Sequence, residues 1–466
     1  MENSVLHFDI VVVGAGPAGL TAAIAAARLG KKVLLADQNG FLGGNAVLGL
    51  PFLGYLDLEG RRIVGGIAQE YIDRLIKKGA CLGHRVCPKH NSVTNFKPQE
   101  FKLLAIEMCR EAGVQILLHA KLTKVETENR FLRRVFFSGI GNGVWAEAKI
   151  FLDCTGDGSL AVLAGCGYEL GDGAGEMQPP TVMFTLENVD TDRLYDYIAL
   201  HPDEMTYSAT IDHRPGYDAA YFKRSLNHVF VGLRTTFSLL REKGELPVER
   251  ETLIFIHSLE PGEVFVNSTR LIGTDATDLF SITKAETEGQ LQSKKLAETL
   301  KKNVPGFEHS FLSQIQPFIG VRETRRVKGI RYLTESEALS GAIPGDSVAL
   351  AGYKIDVHSG HDRTTLFKTV KKPFGIPYGV LVAKDADNLM LAGRCVSCDK
   401  NTLAAIRVMP QCMCMGEAAG VGACLSIDRK IAPKDVNPGE VRAVLSRNKA
   451  ILREEEIRIH PEDRQD

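Results

Sequence analysis

Four apolar residues, Ile10–Val13, stand behind Asp9 and stop at Gly14. A run apolar at every position predicts a strand buried on both faces. PAGLTAAIAAARL, Pro17 to Leu29, predicts a helix with proline in its first turn, and Lys32–Ala36 a second strand ending at Asp37. Ile67, Tyr71, Ile72 and Leu75 recur at helical spacing before the cationic, glycine-ended stretch Lys77–Gly79. A further helix opens near Pro98 with Cys109 on its apolar face, and the strand Val114–His119 follows to join the edge of a parallel sheet. EAKIFLDCTGDG predicts another apolar strand, after which Asp157 either caps the next helix or faces a ligand.

The pattern changes between about Gly167 and Gly341. Strand-like PTVMFTLENV and ETLIFIHSL mix there with a helical reading of FKRSLNHVFVGLRTTFSLLREKG. Thr283 with Glu286 reads as a capping box opening a charged amphipathic helix. NLMLAGRC then restores an apolar strand, Asn388–Ala392, and a helix is expected from Pro410 through QCMCMGEAAGVGACL. REEEIRIHPEDRQD reads as a solvated tail. The fold class expected is α/β. Residues 1–166 and 342–466 would form one nucleotide-binding domain, and 167–341 an inserted α+β substrate domain.

The glycines carry the first chemistry. Gly14, Gly16 and Gly19 form G-x-G-x-x-G between strand and helix. The first allows the tight turn, the second lets backbone approach a pyrophosphate, and the third lets helix and strand pack closely. The helix N-terminus offers N–H groups to phosphate, and Asp37 stands where an acid accepts hydrogen bonds from a ribose diol. With 56 basic against 57 acidic residues, nothing marks a nucleic-acid or anionic-membrane partner. The N-terminus has no basic n-region, so neither signal peptide nor anchor is expected. Ten cysteines without such a signal argue for reduced thiols and a cytoplasmic location. Small molecules are the expected partners, with a redox partner protein and homo-oligomerisation left open.

Gly43 and Gly44, in DQNGFLGG, would let a second loop lie along an extended cofactor. Together with FLDCTGDGSLAVLAGC, MQPPTVMF, IGVRETRRVKG, YKIDVH and LAGRCVSCDKNTLAAIRVMPQCMCMGEAAG, this resembles the FAD-dependent oxidoreductase family. That family lies in the fumarate reductase and succinate dehydrogenase branch of the glutathione-reductase-type superfamily, and some of its members are described as heterodisulfide reductase-like. The resemblance implies FAD as cofactor. It assigns to cofactor contact Gly14, Gly16, Pro17, Ala18 and Gly19, then Asp37 and Gln38, then Gly43, Gly44 and Asn45. Leu122, Thr155 and Gly156 follow, and late in the chain Gly393, Arg394, Arg407, Val408 and Met409. Members with covalently bound FAD carry a histidine shortly after the glycine pair. Asn45 stands here, so non-covalent FAD is expected.

Cys395, Cys398, Cys412 and Cys414 crowd the late segment. Residues two apart on a helix point to largely opposite faces, so Cys412 and Cys414 cannot share a metal, and no second C-x-x-C pair follows Cys395 and Cys398. No metal is expected. A redox pair at Cys395 and Cys398 remains open beside inert core thiols. In the family, the helix near Pro410 points its N-terminus at the pyrimidine edge of the isoalloxazine. Catalysis is expected from Asp356 and His358, two apart on an extended segment and so facing one side, as a proton relay or as a structural pair. Arg322 and Arg407 are candidates for holding a substrate carboxylate, against salt bridges or a solvated helix face in VRETRR. The function expected is two-electron redox chemistry on a small organic substrate. The alternative is an electron-transfer flavoprotein within a heterodisulfide reductase-like complex.

Overall fold

β1 (Ile10–Val13) lies buried at the centre of a five-stranded sheet in the computed structural model, which describes residues 5–173, 175–205 and 215–463. The glycine turn leads to α1 (Pro17–Arg28) and back to β2 (Val33–Ala36); β3 (Gln115–Leu117), β4 (Ile150–Asp153) and, far later, Leu389–Leu391 complete the sheet. The strands are parallel, in the order Leu389–Leu391, β4, β1, β2, β3. Val13 pairs with both Ala36 and Asp153, and Asp153 with Leu391. Four strands thus end level, and Gly14, Asp37, Thr155 and Gly393 all leave the carboxyl edge, where open α/β sheets bind ligands.

A second, antiparallel sheet contains β5 (Phe184–Glu187), β6 (Val229–Gly232), β7 (Leu253–His257), β8 (Val264–Val266) and β9 (Phe311–Ile315), ordered β6-β7-β8-β5-β9. α2 (Leu279–Asn303) packs on β9. β10 (Ile355–His358) and β11 (Thr365–Lys368) form a hairpin, and α3 (Met409–Arg429) follows the last parallel strand. Gly416 and Gly420 of α3 face α1. A Cβ on Gly416 would stand 2.0 Å from the Ala18 carbonyl oxygen, and one on Gly420 2.4 Å from that of Ala22. Thr21 seals the contact by donating to the Met413 carbonyl at 2.7 Å.

Several local expectations are corrected. The stretch from Phe222 is not one helix: Ala219–Lys223 and Arg234–Glu242 are helical, but β6 lies between them. Val229–Gly232 is buried and pairs with β7, and sheet pairing outweighs helical propensity there. α2 begins before the Thr283–Glu286 pair, because Asp278 caps it by accepting from the Ser281 N–H at 2.8 Å. Glu286 instead accepts from the Ile319 N–H at 2.9 Å. VRETRR is no solvated helix: Arg325–Val327 is a strand, and Glu323 is buried against Arg326 at 2.8 Å. The tail is docked as far as Asp463, which is buried against Arg62 at 2.6 Å; residues 464–466 lie outside the described residues.

Candidate functional site

Each glycine of the first turn has a distinct steric duty. At Gly14 φ is +97°, and an added Cβ would stand 2.5 Å from the Cys154 carbonyl oxygen. An added Cβ on Gly19 would stand 1.8 Å from the Gly14 carbonyl oxygen, so turn and helix touch backbone to backbone. Gly16 differs: it is the N-cap of α1, and a Cβ there would meet nothing within 4 Å among the described residues. Open space in front of a helix N-terminus without a side-chain cap is the room a pyrophosphate needs. Pro17 and Ala18 form the first turn, and Gly44 closes over the loop, its added Cβ 2.9 Å from the Gly16 Cα. Asp37 accepts from the Ala15 N–H at 2.6 Å and from the Asn39 N–H at 2.8 Å. Burial pushes its pKa upward despite these bonds, and the carboxylate braces the turn from the end of β2. Gln38 is exposed beside it. Leu122 lies in a separate four-stranded sheet, in antiparallel pairing with Phe137.

On the far side of the sheet edge, Thr155 donates to Asp153 at 2.7 Å and its hydroxyl accepts from the Ser159 N–H at 3.0 Å. Thr155, not Asp157, therefore serves the start of that short helix. Asp157 instead accepts from Arg394 at 3.1 Å and from Thr324 at 2.8 Å. Arg394 lies over Gly156, where an added Cβ would stand 2.7 Å from the guanidinium, and Gly393 reaches it with φ +91°. Arg394 Nη1 is buried with no hydrogen-bond partner among the described residues. α3 starts at Met409 after Val408, again with no side-chain cap.

Asn45, Arg394, Val408 and Met409 line a cavity of about 270 Å³. The donor set fits FAD: an open, uncapped N-terminus for the pyrophosphate, and near the cavity a second uncapped N-terminus with an unpartnered guanidinium donor. Gly43 N–H bonds the Ala15 carbonyl at 2.8 Å, fixing the second loop against the first.

The same cavity holds the expected catalytic residues: Arg322, Asp356, His358 and Arg407 all line it. Alternation along β10 does put Asp356 and His358 on one side, with Oδ1 and Nε2 3.4 Å apart. Arg270, which no motif in the sequence marks, places Nη1 3.3 Å from His358 Nδ1. A guanidinium only donates, so Nδ1 must accept, and the ring proton sits on Nε2 towards Asp356. Burial, then Arg322, Arg250, Arg270 and Arg407, hold the His358 pKa well below its usual range. Arg322 donates to the Pro179 carbonyl and the Thr181 hydroxyl, both at 2.6 Å; Arg407 donates to the Asp356 carbonyl at 3.0 Å. Both keep some surface open although they lie deep, because the open surface belongs to the cavity. Arg250 lies there too, pushed down to about 9 by burial and by Arg270, yet still charged at neutral pH. Sheet pairing and the β10–β11 hairpin alone bring Arg250 and Arg270 in.

The C-x-x-C thiols are separate core groups. Cys395 Sγ donates to the Asp153 carbonyl at 3.5 Å and Cys398 Sγ to that of Val396 at 3.7 Å. Burial raises both thiol pKa values well above the usual cysteine range, which disfavours thiolate chemistry. Cys412 donates to the Arg407 carbonyl at 3.3 Å, and its pKa is raised to about 12 by burial.

Burial lowers the pKa of five histidines, His84, His90, His228, His257 and His358. The unfolded chain takes up these protons near pH 6.5 and the folded chain does not. Stability is then full above about pH 6.5 and falls below it, by up to about 1.4 kcal/mol per pH unit for each histidine. Glu417, raised to about 7 by burial, opposes one of the five over the same interval. Urea midpoints at pH 7.5 and 5.5 should therefore differ strongly; equal midpoints would contradict the neutral burial of these rings.

Among known proteins, 48 residues are 54% identical to thiamine thiazole synthase of Aeropyrum pernix, covering 10% of this chain and 18% of that protein. Over 167 residues the chain is 27% identical to the uncharacterised protein in the nifH2 5′ region of Methanosarcina barkeri, covering 33% of this chain and 84% of that one. A solved geranylgeranyl bacteriochlorophyll reductase-like protein of Thermoplasma acidophilum aligns over 97% of this chain and 95% of its own, with 11% identity and a TM-score of 0.48. The chain thus spans less than a fifth of the thiamine thiazole synthase. Residues 9–445 match the family model described as FAD dependent oxidoreductase. With its glycine turn, level strand ends and FAD-fitting donor set, the chain belongs to the FAD dependent oxidoreductase family, and FAD is its cofactor.

Proposed function

We propose that this protein carries out the two-electron oxidation or reduction of a small organic substrate bound in the cavity beside non-covalent FAD. One observation carries the reading: cofactor-side residues Asn45, Arg394, Val408 and Met409 line the same cavity as Arg322, Asp356, His358 and Arg407. FAD, when bound, supplies hydride transfer. The chain's own groups supply the rest. Arg322 and Arg407 hold a polar group of the substrate, and His358 with Asp356 keeps one proton at Nε2 for exchange with it. The cavity's apolar lining limits water around these charges.

The test is anaerobic photoreduction of the flavoprotein, then reoxidation by a panel of organic acids, ketones, quinones and dithiols. Rapid reoxidation by a free small molecule supports the reading. Reoxidation only by a protein partner would sink it and favour an electron-transfer role within a larger complex. The non-covalent mode is checked by acid precipitation: with Asn45 after the glycine pair, the pellet should be colourless and the flavin should stay in the supernatant.

A further inference from the structure

The wall that β6 and β7 contribute to the cavity is graded along its length. Thr252, Ile254 and Ile256 alternate onto one face, and the β6 register sets Val231 opposite Ile254 and Val229 opposite Ile256. All five line the cavity, as does Arg250 two residues before Thr252. Over roughly 20 Å of extended chain the lining therefore passes from guanidinium to hydroxyl to hydrocarbon. Among the described residues, seven Lys and Arg side chains line the cavity against two carboxylates, Glu251 and Asp356. Three of those cations bond neutral oxygens: Arg250 the Thr269 carbonyl, Arg322 the Pro179 carbonyl and the Thr181 hydroxyl, and Arg407 the Arg322 and Asp356 carbonyls. Like charges crowded in this way are relieved by an anion. An anion without a hydrocarbon part would leave the Val and Ile surface unfilled.

We propose that the substrate is an amphipathic organic anion. Its carboxylate or phosphate head is held by Arg250, Arg322 and Arg407, and its hydrocarbon body lies along Val229, Val231, Ile254 and Ile256. This rests on the cavity being the substrate site proposed above.

The test is binding without turnover. The FAD-loaded, oxidised protein is titrated with butanoate, hexanoate, octanoate, succinate, hexyl phosphate, hexanol and hexylamine, read by calorimetry and by the flavin difference spectrum. Kd should fall up to about fourfold for each added methylene. Hexanoate or hexyl phosphate should bind at least about tenfold tighter than hexanol and hexylamine. The tighter of the two anions identifies the head. Three results overturn the proposal: succinate tighter than hexanoate, hexanol or hexylamine equal to both anions, or no binding by any acid. Ile254→Asn should flatten the dependence on chain length, and Arg250→Met should shrink the preference for hexanoate over hexanol. The wild-type series decides if either variant loses its flavin. Tight binding of these acids with no small molecule ever reoxidising the flavin leaves this proposal standing and removes the redox reading. Turnover of an uncharged substrate does the reverse.

Discussion

Gly19→Ala should release the flavin and cost about 3 kcal/mol of stability, whereas Gly16→Ala should spare the fold and lose only the cofactor. The two glycines stand three residues apart in one motif, yet their surroundings are opposite. A methyl group on Gly19 would lie 1.8 Å from the Gly14 carbonyl oxygen, and because backbone has no rotamer to escape into, α1 must lift off the turn. A methyl group on Gly16 meets nothing within 4 Å among the described residues, and its φ of −72° suits any residue. The same open space is where the pyrophosphate approaches, so alanine there should weaken FAD by at least about tenfold, some 1.4 kcal/mol, while apo stability shifts by less than about 0.5 kcal/mol. Urea midpoints of the apo proteins and flavin retained on gel filtration separate the two effects. Should Gly16→Ala prove the less stable variant, the assignment of steric duties is wrong.

Arg322→Met should lower kcat/KM by about 10²-fold or more with the flavin retained. Two hydrogen bonds are lost, to Pro179 and Thr181, each worth about 1 kcal/mol. Against this, the variant removes a deep cation whose pKa is held down by burial, then by Arg250 and Arg407 and by Arg270. The two contributions largely cancel, and the net stability change should stay within about 1 kcal/mol. A guanidinium kept for structure would behave otherwise: a loss above about 3 kcal/mol with unchanged binding of hexanoate and hexyl phosphate would make Arg322 a prop rather than a substrate contact.

Legibility followed the range of the interactions concerned. The β1–α1–β2 unit and its glycines were readable because strand, turn, helix and acid are neighbours in the chain. Asp356 and His358 were readable as a pair because strand alternation needs only a spacing of two. The start of α2 was misread although its signal was local: Asp278 outcompeted Thr283 as the cap. β6 was absorbed into a helix because what makes it a strand is β7, more than twenty residues later. The docking of the C-terminal segment was invisible, since Asp463 is buried by Arg62, 401 residues away in the chain.

By itself the sequence determined the sheet's nucleotide edge, the requirement for glycine at its crowded positions and the identity of the cofactor family. The first two follow from steric rules acting over a few residues, and the cofactor family was implied by the resemblance of motifs spread along the chain. Only the tertiary structure decided that Arg250 and Arg270 join Arg322 and Arg407 around one histidine, and that a hydrocarbon wall shares their cavity. Charge crowding depends on distances through space, and no periodicity within a strand or helix encodes the approach of separate elements.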